Sequence, residues 1–202
     1  MSTEWFLAVA AGYFLGSIPF GVLLTRWFGL GDVRKIGSGN IGATNVLRSG
    51  RKDLAVATLL LDAGKSAAAF WLASHFIGGA NPLFVGMIAA VAALIGHCYP
   101  VWLDFKGGKG VATFFGGLFI ASWLLGLVVA GIWLVVAAST RMSSVAALFA
   151  VNAAPALALS LGRADLAVYS GVMALIISIR HLDNIRRLMA GTEPRFGSKN
   201  KK

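Results

Sequence analysis

Charge is scarce in this chain, and acidic charge scarcest: of 202 residues only 13% are Asp, Glu, Lys or Arg, and 8 of them are carboxylates. An average soluble domain carries about a quarter charged residues, so a water-soluble fold is excluded, and the 57% hydrophobic content and mean hydropathy of +0.77 place the chain in a membrane. Cysteine occurs once, at Cys98, which excludes an internal disulfide and a thiolate metal cluster and leaves a small apolar filler. The three histidines, His75, His97 and His181, have no carboxylates at metal-ligand spacing, so neither a metal site nor a cofactor is expected. The first apolar stretch, Glu4 to Thr25, opens on an acidic residue and lacks a basic leader and a small-residue cleavage site; it reads as a retained helix.

A membrane helix needs roughly 20 apolar residues. Apolar segments run over 4–25, 54–76, 83–103, 111–139, 144–161 and 166–180, and the fourth fits either one tilted helix or a hairpin. Charge decides between them. The connection after the first segment holds Arg26, Arg34, Lys35, Arg48, Arg51 and Lys52, and the tail from Arg180 holds seven more basic residues. The positive-inside rule puts both in the cytoplasm, which requires an odd number of spans and therefore the hairpin.

The expectation is an all-α integral membrane protein, a single polytopic domain of seven transmembrane helices. These run over 4–25, 54–76, 83–103, 111–123, 126–139, 144–161 and 166–180, with the N-terminus outside and a cytoplasmic basic tail over 181–202. Lys106, Lys109 and Arg141 then also face the cytoplasm, leaving only Lys65 and Arg163 elsewhere among 18 basic residues. Trp5, Trp27, Trp102 and Trp123 fall near helix ends, where indole rings favour the interface. The formal charge of +10 is thus concentrated on one membrane face, where it suits anionic lipid or an anionic substrate rather than nucleic acid.

Three polar, glycine-bearing clusters lie on that face. In KIGSGNIGATNVLR (35–48), Gly37, Gly39 and Gly42 have the spacing of a dinucleotide-binding turn, but a βαβ unit is missing between two membrane helices. DAGKS (62–66) and FKGGKG (105–110) likewise fail as mononucleotide loops, because Leu59 stands where the first glycine belongs and Gly110 where a Ser or Thr belongs. The physics of such loops survives. Glycine lets backbone N–H groups turn toward an anion, and Ser38, Asn40 and Thr44 add donors while Arg48 adds a charged fork. A flexible turn with a solvated basic edge is the plainer alternative.

The second cluster, GHCYPVWLDFKGGKGVAT (96–113), sets Lys106 and Lys109 around Gly107 and Gly108. Snorkelling explains interfacial lysines but not the glycines between them. In the third, RHLDNIRRLMAGTEPRF (180–196), His181 and Asn184 are three positions apart on one helix face and suit a substrate hydroxyl, whereas Arg186, Arg187 and the final lysines read as lipid-attracted. Asp62 and Lys65 lie within a span, as a functional pair or an internal ion pair.

In this order the clusters resemble the three motifs of the bacterial acyl-phosphate:glycerol-3-phosphate acyltransferase family, PlsY, and GSIPFG (16–21) and the Asp62/Lys65 helix match as well. The resemblance implies transfer of a fatty acyl group from acyl phosphate to the sn-1 hydroxyl of glycerol 3-phosphate, giving lysophosphatidic acid and phosphate. It implies a multi-pass protein of the bacterial inner membrane, surrounded by membrane lipid, with its site facing the cytoplasm. Carried onto matching positions, it implies catalytic roles for Ser38, Asn40, Arg48, Lys109, His181 and Asn184. Gly37, Gly39, Thr44, Lys106, Gly107, Gly108, Ser144 and Glu193 are implied to bind the phosphate and glycerol groups; Met142 stands where the family usually has an aromatic, beside the matching Ser144.

An acyl phosphate carries a good leaving group, so positioning and charge neutralisation suffice, with the Ser38 to Asn40 backbone as a cradle; His181 or, by preference, the leaving phosphate accepts the proton. No Ser-His-Asp arrangement is legible, and none of the histidines has an aspartate five positions on, which disfavours the thioester-using acyltransferases. The competing expectation is a small organic-anion transporter, suggested by Asp62, Lys65, Asn152 and Pro155 inside the apolar segments.

Overall fold

The structure is a computed structural model that describes residues 3–196, and every regular element among them is helical. The helices are α1 (Thr3–Gly16), α2 (Phe20–Trp27), α3 (Ala43–Leu47), α4 (Lys52–Phe76), α5 (Pro82–Cys98), α6 (Val111–Ala121), α7 (Trp123–Thr140), α8 (Ser143–Ser160), α9 (Ala164–Arg180) and α10 (Leu182–Met189). They form two compact units, Met1–Trp123 and Leu124–Lys202.

Two expected boundaries shift. The helix expected over 4–25 is divided by Ser17–Pro19, because proline has no N–H to continue the ladder and pushes the residue before it out of the helical region. The break expected at 124–125 lies earlier: a single extended residue, Ser122 (φ −161°, ψ 102°), separates α6 from α7. Its N–H still donates to the Leu118 carbonyl at 2.8 Å, so one residue breaks the helix without orphaning a donor.

Thr3–Trp27, α4, Pro82–Leu103, α7 and α8 are each long and apolar enough to cross a membrane, and α9 with α10, bent by 60°, makes a sixth if counted as one span. The chain is therefore a multi-pass membrane protein. At 25 residues α4 is about 37 Å long, whereas the 11 residues of α6 reach only about 16 Å.

In the first unit, α4 packs on α1, α5 and α6, and α1 packs on α5. Lipid is as apolar as leucine, so close packing rather than hydrophobicity holds such helices together and small residues line their contacts. Ala8, Ala69, Ala73, Val85, Ala89 and Ala93 form one such core. Gly12 and Gly16 meet the backbone of Ala89 and Ala93, and Gly116 of α6 meets that of Ala63 in α4. A second apolar core, of Val22, Val33, Ile41, Val46, Leu54, Ala55 and Leu103, lies beneath the polar loops. In the second unit α8 packs on α9, and the turn between α7 and α8 is made by Arg141 in a left-handed conformation (φ 58°).

A Cβ at Gly116 would strike the Ala63 carbonyl, whereas one at Gly131 in α7 meets nothing within 4 Å. Denaturation in detergent should therefore show Gly116→Ala destabilised by about 1–3 kcal/mol and Gly131→Ala no less stable than the parent.

Candidate active site

The first polar loop is built around a side chain that the motif reading passed over. Asn45, on the one-turn helix α3, is 1% exposed. Its amide NH2 donates to the carbonyls of Val33 (2.9 Å), Ile36 (3.0 Å) and Asn40 (2.8 Å), while its Oδ1 accepts from the Ser38 N–H at 3.0 Å and lies 3.4 Å from the Ser38 hydroxyl. One side chain thus closes the turn over 33–45 from inside. Gly37 is required twice: its φ is +55°, and a Cβ there would meet Asn45 Oδ1 and the Arg48 side chain that lies over the turn.

This geometry corrects the expected backbone cradle. The Ser38 N–H is taken by Asn45, and the Gly39 N–H (φ +71°) donates to Ile36 at 3.0 Å. Both serve the turn, so the side chains are what the loop presents: Ser38, Thr44 and Arg48 are exposed, and Asn40 keeps a buried Oδ1 without a partner. Ahead of them Asp32 caps the turn Val33–Lys35 and pairs with Arg34 (2.6 Å) and Arg26 (2.8 Å). Hydrogen bonding from the Arg34 guanidinium holds the Asp32 carboxyl far below its ordinary range, and raises Arg34 in turn.

The second loop closes on the end of α5. A helix C-terminus leaves its last carbonyls without partners, and here Gly107 N–H donates to the Cys98 carbonyl (3.1 Å) and Gly108 N–H to that of His97 (3.0 Å). A Cβ at Gly107 would strike the His97 carbonyl and Pro100; one at Gly108 would strike the His97 ring. The glycine pair, expected to bind phosphate, instead lets the chain lie on the helix end, with exposed Lys106 and half-buried Lys109 on either side. Asp104 and Phe105 reverse the chain with positive φ (51° and 60°). Trp102 Nε1 donates to Ser17 Oγ (2.8 Å) and Tyr13 Oη to the Tyr99 carbonyl (2.9 Å), fixing the turn to the end of α1. Leu103 shares the buried core of Val33, Ile41 and Val46, so both loops stand on one apolar floor.

The second unit gathers Ser144, Asn184 and Glu193. Glu193 Oε1 accepts from Ser144 Oγ and Asn184 Nδ2, both at 2.6 Å, and Oε2 from Arg187 Nε at 2.8 Å. Arg187, expected to attract lipid, is thus turned onto the tail; Arg186 pairs with Asp183 at 2.8 Å, and Lys199, Lys201 and Lys202 lie outside the described residues. Partial burial pushes the Glu193 carboxyl up, but the bonds from Ser144, Asn184 and Arg187 outweigh it and hold the pKa below the ordinary value. His181, 3% exposed, is the hinge residue between α9 and α10 rather than a member of one continuous helix face with Asn184. Its Nδ1 lies 2.8 Å from the Ile177 carbonyl. A carbonyl only accepts, so Nδ1 carries the hydrogen and Nε2 is the acceptor of the neutral ring. The Phe196 N–H donates to the Arg141 carbonyl (2.7 Å) and the Arg141 guanidinium to the Phe196 carbonyl (2.9 Å), clasping the tail.

Within α4, Lys65 Nζ lies 2.9 Å from Asp62 Oδ1, 2.9 Å from the Ile18 carbonyl and 2.8 Å from His97 Nδ1. Asp62 Oδ1 is also 3.5 Å from His97 Nδ1, so Asp62 and Lys65 form a buried ion pair with His97 against it. Among the described residues no group of three or more His, Cys, Asp or Glu is placed to hold a metal ion.

Two tests follow from this geometry. Asn45→Ala removes all three bonds and strands the Asn40 carbonyl, at about 1–3 kcal/mol, while the carbonyls of Val33 and Ile36 keep the N–H groups of Ile36 and Gly39. Limited proteolysis should then cut 33–48 in the variant and spare the parent. Because the Glu193 pKa is lowered by folding, its contribution to stability is present above the unfolded value near 4.5 and is lost as pH falls through the folded one. The acid limb of the melting temperature should flatten in Glu193→Gln, which starts less stable at pH 7.

Residues 6–191 match the family model described as glycerol-3-phosphate acyltransferase. The chain is 55% identical over 192 residues to the glycerol-3-phosphate acyltransferase of Maricaulis maris, covering 95% of this chain and 87% of that one. It is 54% identical over 195 residues to that of Rhodospirillum rubrum, covering 95% and 90%. Among solved structures it is similar to PlsY (YgiH), an integral membrane glycerol 3-phosphate acyltransferase, in its glycerol 3-phosphate form, with a TM-score of 0.87, 36% identity and 96% of each chain covered. The lysophosphatidic acid form gives 0.85 and 35%, over 96% of this chain and 95% of that one. With its motifs, helical membrane fold and full-length likeness in agreement, the chain belongs to the glycerol-3-phosphate acyltransferase family and is an acyltransferase of the membrane.

Proposed function

We propose that the protein transfers a fatty acyl group from acyl phosphate to the sn-1 hydroxyl of glycerol 3-phosphate at the cytoplasmic face of the bacterial inner membrane. The supporting observation is the pair of basic loops on one apolar floor, with Arg48 over the first and Lys106 and Lys109 on the second. Both substrates carry phosphate, and two anions approach each other near low-dielectric lipid only if cations and donors offset their repulsion. Arg48, Lys106 and Lys109 supply the positive charge, and Ser38, Asn40 and Thr44 supply hydrogen bonds.

His181 and Asn184 hold the attacking hydroxyl. Ser144 and Glu193 brace Asn184 and the tail, a supporting role in place of the direct binding first expected of them. The hydroxyl oxygen forms a bond to the acyl carbonyl carbon, the bond from that carbon to the phosphate oxygen breaks, and the departing phosphate takes the hydroxyl proton. His181 is oriented by a carbonyl and not by a carboxylate, which supports a holding role over that of a strong base. The six apolar spans together with the short α6 make seven crossings, the N-terminus outside, with α6 sheltered against α4.

Purified protein in detergent, given acyl phosphate and glycerol 3-phosphate without a second compartment, should release lysophosphatidic acid and phosphate in equal amounts. A transporter would release neither, and a folded protein making no product would refute the proposal. Arg48→Ala and Lys109→Ala should each lower kcat/KM by about 100- to 1000-fold at an unchanged melting temperature, and Arg48→Lys should recover only part of the loss because it lacks the planar fork.

A further inference from the structure

Asp62, Lys65 and His97 lie outside the assigned machinery, yet they end beneath one of its loops. Lys65 and Asp62 are one helical turn apart on α4, nearly sealed from solvent at 1% and 3% side-chain exposure. His97 is the penultimate residue of α5 and is 4% exposed. His97 Nδ1 lies 2.8 Å from Lys65 Nζ and 3.5 Å from Asp62 Oδ1. The pair therefore anchors the imidazole by its Nδ1 edge.

The opposite edge of that ring is the surface on which Gly108 rests. A Cβ added at Gly108 would meet Nε2, Cε1 and Cδ2 of His97 and no other nearby heavy atoms are closer, while the Gly108 N–H is bonded to the backbone carbonyl of the same residue. Gly108 is the residue directly before Lys109, and its φ is not left-handed, so the imidazole is the nearest obstacle to a side chain there. The chain of contacts runs from a buried ion pair to a ring, from the ring to a glycine, and from the glycine to a lysine.

We infer that Asp62, Lys65 and His97 are positioning residues that set the height and register of the Lys106–Lys109 loop, and so set affinity for the phosphate-bearing substrates. This rests on the role proposed above for the two lysines. Removing the ion pair is a poor test, since a buried partner left alone unfolds many proteins. The contact between residues 97 and 108 offers a sharper one. His97→Asn retains an oxygen able to accept from Lys65 while deleting Nε2 and Cε1, the two atoms nearest the added methyl.

KM for glycerol 3-phosphate and for acyl phosphate, and kcat, are measured for the parent, Gly108→Ala, His97→Asn and the double variant. Gly108→Ala should raise KM for at least one substrate by about 10- to 100-fold, the loss expected when a binding group is displaced by around an ångström, with kcat changed much less. His97→Asn alone should raise KM modestly. The double variant should recover a measurable part of what Gly108→Ala lost, because the two ring atoms nearest the methyl are gone.

Additive losses, or a Gly108→Ala effect confined to kcat, would overturn the inference. So would a double variant that fails to fold, since relieving the one clash should restore folding. If the folded parent makes no lysophosphatidic acid, the proposed function itself fails; an active parent with an additive cycle removes only the inference about the ion pair.

Discussion

Within and beside a lipid bilayer, backbone polar groups must find partners inside the protein, and this constraint shapes both loops of the first unit. The end of α5 leaves carbonyls that water cannot reach, and the chain meets them by returning Gly107 and Gly108 across the helix terminus. The turn over 33–45 has the same need and satisfies it with one buried amide, that of Asn45. In each case the backbone groups named here are consumed by the loop itself. The cationic side chains that remain are held outward by a fixed backbone.

This division of labour suits a reaction whose chemistry resides largely in the substrate. An acyl phosphate brings its own leaving group, so the protein has to bring two phosphates together and aim one hydroxyl. Cations on short, closed loops do this with little reorganisation, which is where preorganised charge is most effective. The carbonyl-bonded His181 fits the same pattern, since its tautomer is set for accepting a hydrogen bond without a carboxylate to strengthen it as a base. Ser144, Arg187 and Asn184 converge on Glu193 as a brace for the segment that follows α10.

Much of the fold was legible because membrane helices announce themselves by hydropathy, and the segment over 111–139 is divided into two helices, α6 and α7, as the count of basic residues led one to expect. Boundaries were less legible where one residue decides them: the break at Pro19 was read through as one helix over 4–25, and Ser122 carries no signal stronger than many other serines. The three motifs marked the right stretches, whereas the work done by individual glycines was misread. Spacing reveals that a glycine is present, not whether its N–H faces an anion or a helix end. Asn45 was missed because its contacts reach back to Val33 and Ile36, and His97 because its partners lie 32 residues away on another helix. Both had a signal in hindsight, a polar residue placed among buried ones.

The central claim is that the protein works by holding phosphates and aiming a hydroxyl, with no acyl group carried on a side chain. Intact-protein mass spectrometry after rapid quench, with acyl phosphate supplied and glycerol 3-phosphate withheld, tests this most directly. The account predicts an unmodified chain and no burst of phosphate. A stoichiometric acyl adduct, on Ser38 or elsewhere, that disappears when glycerol 3-phosphate is added would contradict it.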